Sequence, residues 1–574
     1  MSLSPSTIRT AMFTARLAIW LLTLLEAVLV LAAVALAWMR SGRHPPALPG
    51  HLGIAFVAFA RRKTLSVVSV GLLCLTLRAA LLPLLGIPEP RWNDEFSYLL
   101  AGKTFAAGRV TNPTPPLWVH FETFHVILQP TYMSMYTPGQ GLVLALGQRI
   151  AKCPWIGVLL ITGIMCSALT WMLQGWMPPA WALFGGLLAV LRLGVLSFWM
   201  NSYWCPALAA TGGALILGAL PRARKARGAS AAIVMGLGLI VLANSRPYEG
   251  FVLSLTVAGS LVAWLLSTQR PSFPTVARKL ILPLALVLAA GAIATGYYYW
   301  RVTGSPIRMT YKVDRDTYAV VPYFIFFPSR PVPSYNHAVI RNYYAGWEVS
   351  EFQEARSFLG FLRRNRHKTL DLWRFYLGPA LTIPLFALPW TLRDRRMRFP
   401  VVASAVFIGA LLIQTWTFPH YTAPATGLVY IIVVQCFRHL RVWRWRTTQT
   451  GRALVNAAVV ASVGMIVLRL VAILTHTPIE PPWPRGNLDR PRIVAQLTRL
   501  LRPQLVLVRY GPHHNADLDW IYNDPDISKA ELIWAHDMGN ANQELLQYFS
   551  DRQVWLLDVD DSTPQLSPYP SPAP

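Results

Sequence analysis

Residues 155–174 read WIGVLLITGIMCSALTWMLQ, a run of 20 residues without a charged side chain. A helix of about 20 residues is about 30 Å long, which matches the hydrocarbon thickness of a bilayer. In the whole chain, hydrophobic side chains make up 54% and charged side chains only 14%, whereas a soluble protein carries about 25% charged residues. The composition excludes a soluble enzyme, a disordered chain and a fibrous protein.

Eleven more apolar stretches have the length and composition of a membrane-spanning helix. We therefore predict an α-helical polytopic membrane protein with about 12 transmembrane helices, of which 11 belong to the core. The predicted spans lie near 17–39, 64–87, 155–174, 180–198, 201–220, 231–248, 250–267, 279–300, 371–391, 399–417, 420–437 and 452–474.

The net charge of +26 at pH 7 is distributed in a way that predicts the orientation of the chain. The short loops near 199–202, 245–250 and 418–420 hold a single arginine, Arg246. The alternate connections hold basic clusters, which the positive-inside rule places in the cytoplasm. The charge therefore indicates membrane topology rather than a nucleic-acid partner. The clusters lie at 61–63, 222–227, 270–279, 393–398 and 438–446.

Three long segments, 88–154, 301–370 and 475–574, then fall on the opposite, outer face. This topology predicts a bacterial inner-membrane protein whose outer loops and C-terminal region face the periplasm. The apolar segment 17–39 can also be read as a signal peptide. Its length and the basic residues that follow it favour a retained anchor instead.

The chain is predicted to divide into four parts. Residues 1–63 form an anchor helix and a cytoplasmic linker, and 64–474 form the membrane body with outer loops 88–154 and 301–370. Residues 475–561 are net acidic and form a soluble α/β domain. Their strand-like runs are QLVLVRY (504–510), ELIWA (531–535) and QVWLLDV (553–559), with helices predicted at 514–522 and 540–549. The Pro- and Ser-rich end, 562–574, is predicted to be disordered.

Two adjacent carboxylates, Asp94 and Glu95, follow the first core span in the stretch WNDEFSY (92–98). Carboxylates at the edge of a membrane are costly unless they are hydrated or functional. The stretch 94–107 favours a helix, so that Asp94 can also serve as its N-cap. The residues alone leave the structural and the functional interpretation open.

The pattern Asp94-Glu95-x-x-Tyr98 in the first outer loop resembles the motif of C-type, polyprenyl-phosphate-dependent membrane glycosyltransferases. This superfamily includes the protein O-mannosyltransferases and the aminoarabinose transferases of lipid A. The likeness covers residues 64 to about 474 and extends to the architecture. Members have a multi-span helical body, a large first outer loop with juxtamembrane helices and often a soluble outer C-terminal domain. The tail of this chain is not clearly matched.

The resemblance implies a glycosyltransferase that moves a hexosyl or pentosyl group from a polyprenyl phosphate or diphosphate to an acceptor hydroxyl, with inversion. The acceptor would be a glycan, a lipid or a protein, and membrane lipids would surround the body. Asp94 would be the catalytic carboxylate that takes the proton of the acceptor hydroxyl. Glu95 would orient the acceptor or bind a divalent metal, and Tyr98 would hold a carboxylate by hydrogen bonding. No certain cofactor is implied.

His120, Glu122 and His125 lie close together in the first outer loop and are residue types that bind metals. Their spacing lacks the i, i+4 histidine pair of a zinc-protease helix. Contact with donor or acceptor, a metal site and an ordinary packed loop therefore all stay open. Tyr136, further along the same loop, is a further candidate for substrate contact.

Two short outer turns carry polar residues at membrane depth. Arg246 is the first candidate for the lipid phosphate, because a guanidinium matches phosphate oxygens. An internal salt bridge with Glu249 is the alternative. His420 and Tyr421 occupy the other turn, where they can contact phosphate or acceptor, or simply pack. Asp94, Arg246 and His420 are expected to converge on one outward-facing cavity.

The second long outer loop carries the cations Arg301, Lys312 and Arg315. These side chains can meet the pyrophosphate of the donor, or they can be solvated anchors near the lipid headgroups.

Two other classes of function compete with the enzyme. A lipid or polysaccharide-precursor transporter or flippase predicts ionisable residues near the bilayer midplane and internal repeats. Only Glu26 is clearly within a span, and no repeat is visible. A non-catalytic lipid-binding scaffold is the third interpretation, and the Asp94-Glu95 pair disfavours it.

Overall fold

The structure is a computed structural model that describes residues 5–39, 50–225, 228–268, 270–444, 449–475, 487–512, 514–560 and 563–570. Parts of the predicted linker, of two basic clusters and of the C-terminal tail therefore lie outside the described residues. The first twelve helices are α1 (Pro5–Met39), α2 (Gly50–Arg61), α3 (Lys63–Ala80), α4 (Leu82–Leu85), α5 (Asn93–Ala106), α6 (Pro138–Ala151), α7 (Pro154–Trp176), α8 (Pro179–Ala189), α9 (Pro206–Ala223), α10 (Ser230–Ala243), α11 (Pro247–Leu265) and α12 (Phe273–Val276). The others are α13 (Leu282–Thr303), α14 (Thr310–Tyr318), α15 (Ala338–Arg341), α16 (Glu348–Arg356), α17 (Phe358–Tyr376), α18 (Gly378–Thr382), α19 (Leu388–Arg393), α20 (Arg398–Leu412), α21 (Thr426–Val442), α22 (Thr450–Leu474), α23 (Asp489–Leu497) and α24 (Asn542–Tyr548).

Every predicted span coincides with helical structure, and the chain is an integral membrane protein. Within the described ranges, seven helices are long and apolar enough to cross a membrane, or eight if one bent pair counts as a single span. The total of 12 stays a prediction, because α10 and the helix Pro179–Gly194 are apolar but short. Apolar residues of the predicted linker before residue 64 form α2.

The predicted span at 371–391 is broken. Helix α17 and the helical segment Gly378–Arg393 meet at an angle of 92°. Gly378 has a φ of 58° and is followed by Pro379, which has no backbone N–H to donate. The helix therefore cannot continue in a straight line through this point, and the outer part of α17 belongs to the segment predicted as a loop.

An intramembrane carboxylate fastens α1 to this bend. Glu26 is 4% exposed, and its Oε1 accepts a hydrogen bond from the Ala380 N–H at 3.2 Å. Arg192 reaches the same bend, where its Nε donates to the Phe375 carbonyl at 2.8 Å. A carboxylate within a span is costly unless it is paired. Its contacts, with the packing of α1 along α22, favour the anchor interpretation of the 17–39 segment.

The C-terminal region forms the predicted α/β domain around one four-stranded sheet. The strands are β3 (Gln504–Arg509), β4 (Leu532–His536), β5 (Gln553–Asp558) and β6 (Gln565–Pro568), in the order β4-β3-β5-β6. The first three are mutually parallel, and β6 pairs antiparallel with β5. Two short strands of the first outer loop, β1 (Val126–Ile127) and β2 (Met133–Ser134), form a separate hairpin.

Two predictions for this domain are wrong. The predicted helix 514–522 is only one 3₁₀ turn, Ala516–Leu518, whereas α24 lies within the predicted helix 540–549. The segment predicted as disordered contributes β6, because the exposed edge of β5 offers backbone partners whatever the side chains are.

The domain rests on the first outer loop through polar and aromatic contacts. Phe96 of α5 stacks on Tyr522 with ring centroids 4.4 Å apart, and Thr123 donates to Asp519 Oδ2 at 2.5 Å. His536 Nε2 lies 2.7 Å from the Glu122 carbonyl oxygen. The C-terminal domain thus covers the loop that carries the Asp94-Glu95 pair.

The bend at Gly378 generates a stability prediction. A Cβ at this position would lie 2.8 Å from Glu26 Oε1 and 3.2 Å from Arg192 Nη2. Gly378→Ala is therefore expected to lower the melting temperature of the purified protein in detergent. The alanine side chain makes the left-handed backbone conformation less favourable by about 1–2 kcal/mol. It also displaces the intramembrane side chains of Glu26 and Arg192.

Two control variants separate these causes. Gly304 has a φ of 80°, and a Cβ added there would meet no atom within 4 Å; the helical Gly409 also has open space. The expected order of destabilisation is Gly378→Ala above Gly304→Ala above Gly409→Ala. Equal losses for the first two would contradict a role for the Glu26 contact.

Candidate active site

Asp94 lies in the first turn of α5, which begins at Asn93 with Trp92 at the N-cap. The predicted alternative, Asp94 as N-cap, is therefore wrong. Its carboxylate points away from the helix end, forms an ion pair with His125 Nδ1 at 3.0 Å and accepts a hydrogen bond from the Tyr136 hydroxyl. The side chain keeps 27% of its surface exposed, so that it remains accessible to a substrate.

Glu95 has a different environment from its neighbour. Its Oε2 accepts the backbone N–H groups of Arg91 at 2.8 Å and Trp92 at 3.1 Å, and its Oε1 accepts the Tyr203 N–H at 2.9 Å. It thereby joins the start of α5 to the turn before α9. Burial raises the pKa of Glu95 to about 7, against the lowering effect of these N–H groups. These contacts favour a positioning role over the predicted contact with acceptor or metal.

The ionised form of Asp94 is strongly favoured. Burial alone would raise its pKa, but His125, the Tyr136 hydrogen bond and the more distant His420 lower the pKa to about 2. Burial alone would lower the pKa of His125. The charge of Asp94 and its hydrogen bond outweigh burial, so the pKa of His125 is raised above its usual value. The two groups therefore form a carboxylate–imidazolium pair.

Local backbone structure holds the His125 ring in place. His125 has a φ of 61°, a left-handed conformation that costs a non-glycine residue about 1–2 kcal/mol. Its carbonyl accepts the Ser97 hydroxyl at 2.6 Å and the Met135 N–H at 3.0 Å. Ser97 also bonds to Ser134 at 2.7 Å. The strained conformation is thus fixed by α5 and the β1–β2 hairpin, as is common for functional residues.

Tyrosine rings connect Asp94 to the membrane side of the site. Tyr98 stacks on Tyr136 at 4.2 Å, and its hydroxyl donates to Cys205 at 3.4 Å, so the prediction that it holds a carboxylate is wrong. Tyr311 of α14 meets Tyr136 edge-on at 5.5 Å. Burial raises the pKa of Tyr98, whereas the nearby charge of Arg246 acts in the opposite direction. The arginine therefore lies close to these rings.

Arg246 occupies the turn between α10 and α11, and it is 9% exposed. Its guanidinium stacks over the Tyr421 ring at 3.8 Å. Its Nε is buried without a hydrogen-bond partner among the described residues. Among the described residues, Arg246 and Glu249 form no ion pair, and Glu249 Oε1 accepts a hydrogen bond from Gln414 Nε2 at 3.1 Å. A buried guanidinium N–H without a partner suits an anionic ligand.

His420 and Tyr421 lie beside this arginine, as the convergence of the outer turns predicts. His420 packs between Trp204, with ring centroids 4.4 Å apart, and Phe418, at 5.7 Å. The structure therefore brings Asp94, His125, Tyr136, Arg246 and the His420–Tyr421 turn together around one outer site. Tyr98 and Glu249 border it.

The other first-loop candidates face elsewhere. Glu122 accepts hydrogen bonds from Tyr318 at 2.9 Å and Asn336 at 2.7 Å. His120 is buried under the C-terminal domain. The candidate ligands His120, Glu122 and His125 thus have separate environments. Within the described parts of the chain, no group of three or more His, Cys, Asp or Glu side chains is arranged to hold a metal ion.

The second-loop cations also lie outside the site. Arg315 pairs with Glu348 at 2.6 Å, and Lys312 pairs with Asp316 at 3.2 Å. Arg301 is exposed and donates to Tyr297. Sequence reasoning did not find Tyr311, Cys205 or Tyr343, whose ring is 6.2 Å from that of His125. None of these three stands in a recognisable motif, and only the fold brings them to Asp94.

The fold has known counterparts among solved structures. ArnT from Cupriavidus metallidurans bound to undecaprenyl phosphate matches with a TM-score of 0.50 and 11% identity, over 89% of this chain and 93% of that one. The apo form of the same protein matches with a TM-score of 0.49 and 12% identity, with the same coverage of both chains. The Archaeoglobus fulgidus oligosaccharyltransferase matches with a TM-score of 0.39 and 13% identity, over 76% of this chain and 58% of that one. No protein-family model and no curated protein sequence matches. The chain therefore shares the fold of ArnT.

The contacts of Glu95 generate a second stability prediction. In Glu95→Gln, a carboxamide nitrogen replaces one acceptor oxygen and faces a backbone N–H. An unsatisfied buried group costs about 1–3 kcal/mol, so we expect a lower melting temperature at a pH well above 7. Glu89→Gln, at an exposed carboxylate in the same turn, is the matched control. An unchanged melting temperature for Glu95→Gln would contradict the positioning role.

Proposed function

We propose that the protein is a membrane glycosyltransferase that moves a sugar from a polyprenyl phosphate or diphosphate to an acceptor hydroxyl on the outer face, with inversion. One observation carries this proposal: an ionised, accessible carboxylate and a buried arginine with an unpartnered N–H lie among one group of tyrosine rings. The solved structure that shares this fold was determined with undecaprenyl phosphate bound. The resemblance of the Asp94-Glu95-x-x-Tyr98 motif supports the same activity.

Arg246 is assigned to the lipid phosphate. It lies in a turn between two apolar helices, where a lipid headgroup can reach it while its chain stays in the bilayer. The partnerless Nε and the planar guanidinium suit phosphate oxygens. A cation here stabilises the negative charge that the leaving phosphate gains in the transition state. Tyr421, under the guanidinium, fixes its plane.

Asp94 is assigned to the acceptor. A hydroxyl that attacks an oxocarbenium-like carbon becomes far more acidic than a free alcohol as the new bond forms. A carboxylate with a pKa of about 2 can accept its proton at that stage, although it is too weak a base to deprotonate a free alcohol. The C–O bond to phosphate breaks as the C–O bond to the acceptor forms, and one carboxylate suffices for inversion.

The proposed orientation places this chemistry in the periplasm of a bacterial inner membrane. It follows from the basic clusters assigned to the cytoplasm, since the site and the C-terminal domain occupy the other face. The flippase alternative is less favoured, because Glu26 is engaged by the Ala380 backbone at the bend of another helix and contributes to helix packing.

The decisive experiment uses the full chain in lipid nanodiscs with a panel of undecaprenyl-phosphate-linked sugars. Asp94→Asn is expected to reduce sugar transfer by a factor of about 100 or more, because loss of a general base commonly costs 10² to 10⁴ in rate. Full activity of this variant would exclude the assigned mechanism.

Binding of the lipid alone provides a control that does not depend on sugar transfer. Undecaprenyl phosphate is expected to raise the melting temperature of the wild type and of Asp94→Asn, because a ligand that binds only the native state stabilises it. Arg246→Gln is expected to lose most of this stabilisation. Equal stabilisation of Arg246→Gln would contradict the phosphate assignment.

The ion pair with His125 predicts a pH effect. In His125→Gln, Asp94 loses its cationic neighbour while burial continues to raise its pKa. Protonation of Asp94 then begins at a higher pH, so the acid limb of kcat is expected to move upward on the pH scale. The measurement is a rate profile from about pH 4 to about pH 9. A profile of unchanged shape, merely scaled down, would show that His125 acts only on the structure.

A further inference from the structure

A segment of the C-terminal domain lies close to the site. This cap segment comprises residues 510–512 and 514–523. It is held by the hydrogen bond from Thr123 to Asp519, by the stacking of Phe96 on Tyr522 and by the donation of Asn342 Nδ2 to the Pro512 carbonyl at 3.0 Å. The three anchors come from three separate parts of the membrane body, so they fix the cap segment against it.

Asp517 occupies the middle of the cap segment, in the 3₁₀ turn that Asn515 caps by accepting the Asp517 N–H at 3.1 Å. Its neighbour Ala516 packs against the cluster that contains Phe124, the residue before His125, and Tyr343 packs against the same cluster. The Tyr343 ring is in turn 6.2 Å from His125, the partner of Asp94. The turn therefore lies close to the Asp94–His125 pair.

The carboxylate of Asp517 has no hydrogen bond or ion pair with any residue that the structure describes. The neighbouring Asp519, by contrast, accepts hydrogen bonds from Thr123 and Tyr510. Burial raises the pKa of Asp517 to about 6; the charge of Asp94 adds to that effect, and the charge of His125 opposes it. At neutral pH the site thus faces a second, ionised carboxylate that is not used by the fold.

We propose that Asp517 completes the active site from the C-terminal domain, where it accepts hydrogen bonds from a neutral, hydroxyl-rich acceptor. This inference rests on the proposed function, since it names the acceptor class of the same site. The role is one of binding and positioning, not of proton transfer.

The side on which Asp517 lies supports its assignment to the acceptor. In an inverting displacement the nucleophile and the leaving group occupy opposite faces of the anomeric carbon. Arg246, which stacks on Tyr421, marks the leaving-group side. Asp517 lies close to Asp94 and His125, so it belongs with the group that takes the acceptor proton.

Charge defines the acceptor class. Two ionised carboxylates next to the reacting hydroxyl repel an acceptor that carries phosphate or carboxylate at that place. Neutral hydroxyl groups instead donate hydrogen bonds to carboxylate oxygens, and such charge-assisted bonds are about twice as strong as neutral ones. A sugar or another polyol fits this surface, whereas a phosphorylated sugar does not.

The test compares octyl glucoside with octyl glucoside 6-phosphate as acceptors, for the full chain in nanodiscs with the sugar donor that the panel identifies. The wild type is expected to prefer the neutral acceptor. Asp517→Asn is expected to raise KM for octyl glucoside about tenfold or more, the effect of one charge-assisted hydrogen bond, with kcat much less affected. Asp551→Asn, at an exposed carboxylate of the same domain, is expected to leave both constants unchanged.

The pH dependence of KM separates a binding role of Asp517 from a purely structural one, because a structural role would not change it. In the wild type, KM for octyl glucoside is expected to rise as the pH falls through about 6, since protonation removes the charge of Asp517. In Asp517→Asn this rise is expected to disappear. Asp517→Glu, which keeps the charge, is expected to keep the rise, and it remains informative if the asparagine variant does not fold.

The outcomes separate the two proposals. Absence of transfer by the wild type with every donor and both acceptors would overturn the proposed function, and this inference with it. Transfer that Asp94→Asn abolishes, but whose KM and pH dependence Asp517→Asn leaves unchanged, would overturn the inference alone. So would a wild-type preference for the phosphorylated acceptor.

Discussion

A charged carboxylate held at the outer edge of a bilayer is the constraint on which the site depends. An isolated carboxylate in a poorly hydrated place takes up a proton rather than bear the desolvation cost. Asp94 keeps its charge because His125 and Tyr136 both approach the same oxygen. These partners come from the ends of the β1–β2 region, and Ser97, on α5 itself, bonds to that region. The helix that carries the carboxylate thus also positions its counterion.

The adjacent acids show how one helix turn separates two tasks. Successive residues of a helix project about 100° apart, so that Asp94 and Glu95 cannot point into one cavity. Glu95 turns inward and satisfies three backbone N–H groups, which holds the start of α5 on the turn before α9. Asp94 is left to face the site. The contacts of Glu95 thus help to position the helix turn that carries Asp94.

The sequence was sufficient to predict a membrane protein built of apolar helices, because apolar length is a local signal, whereas the orientation that the basic clusters indicate stays a prediction. The catalytic role of Asp94 also stays a prediction, drawn from two carboxylates directly after a span. The break of the 371–391 span was also marked, by Gly378 and Pro379, but hydropathy averages over such residues. The roles of His120, Glu122 and Arg315 stayed open in the sequence, since residue type does not reveal a partner: in the structure Glu122 meets Tyr318, and Arg315 meets Glu348. Tyr343 and Asp517 reach the site only through long-range packing, which no local pattern encodes.

Under the proposed function, the placement of the cap segment bears on how two dissimilar substrates can meet. A polyprenyl chain would remain in lipid, so its phosphate would approach between helices, where Arg246 lies at the turn of α10 and α11. A hydroxyl-rich acceptor would remain in water and would approach past the first outer loop and the cap segment, which contact each other. Asp94 would lie where the two approaches meet. The membrane body alone would leave this point open to bulk water, which competes with the acceptor for the anomeric carbon. A covering domain therefore has a chemical reason to exist: it restricts which hydroxyl can reach the carbon, and it does so at the side where the lipid does not enter.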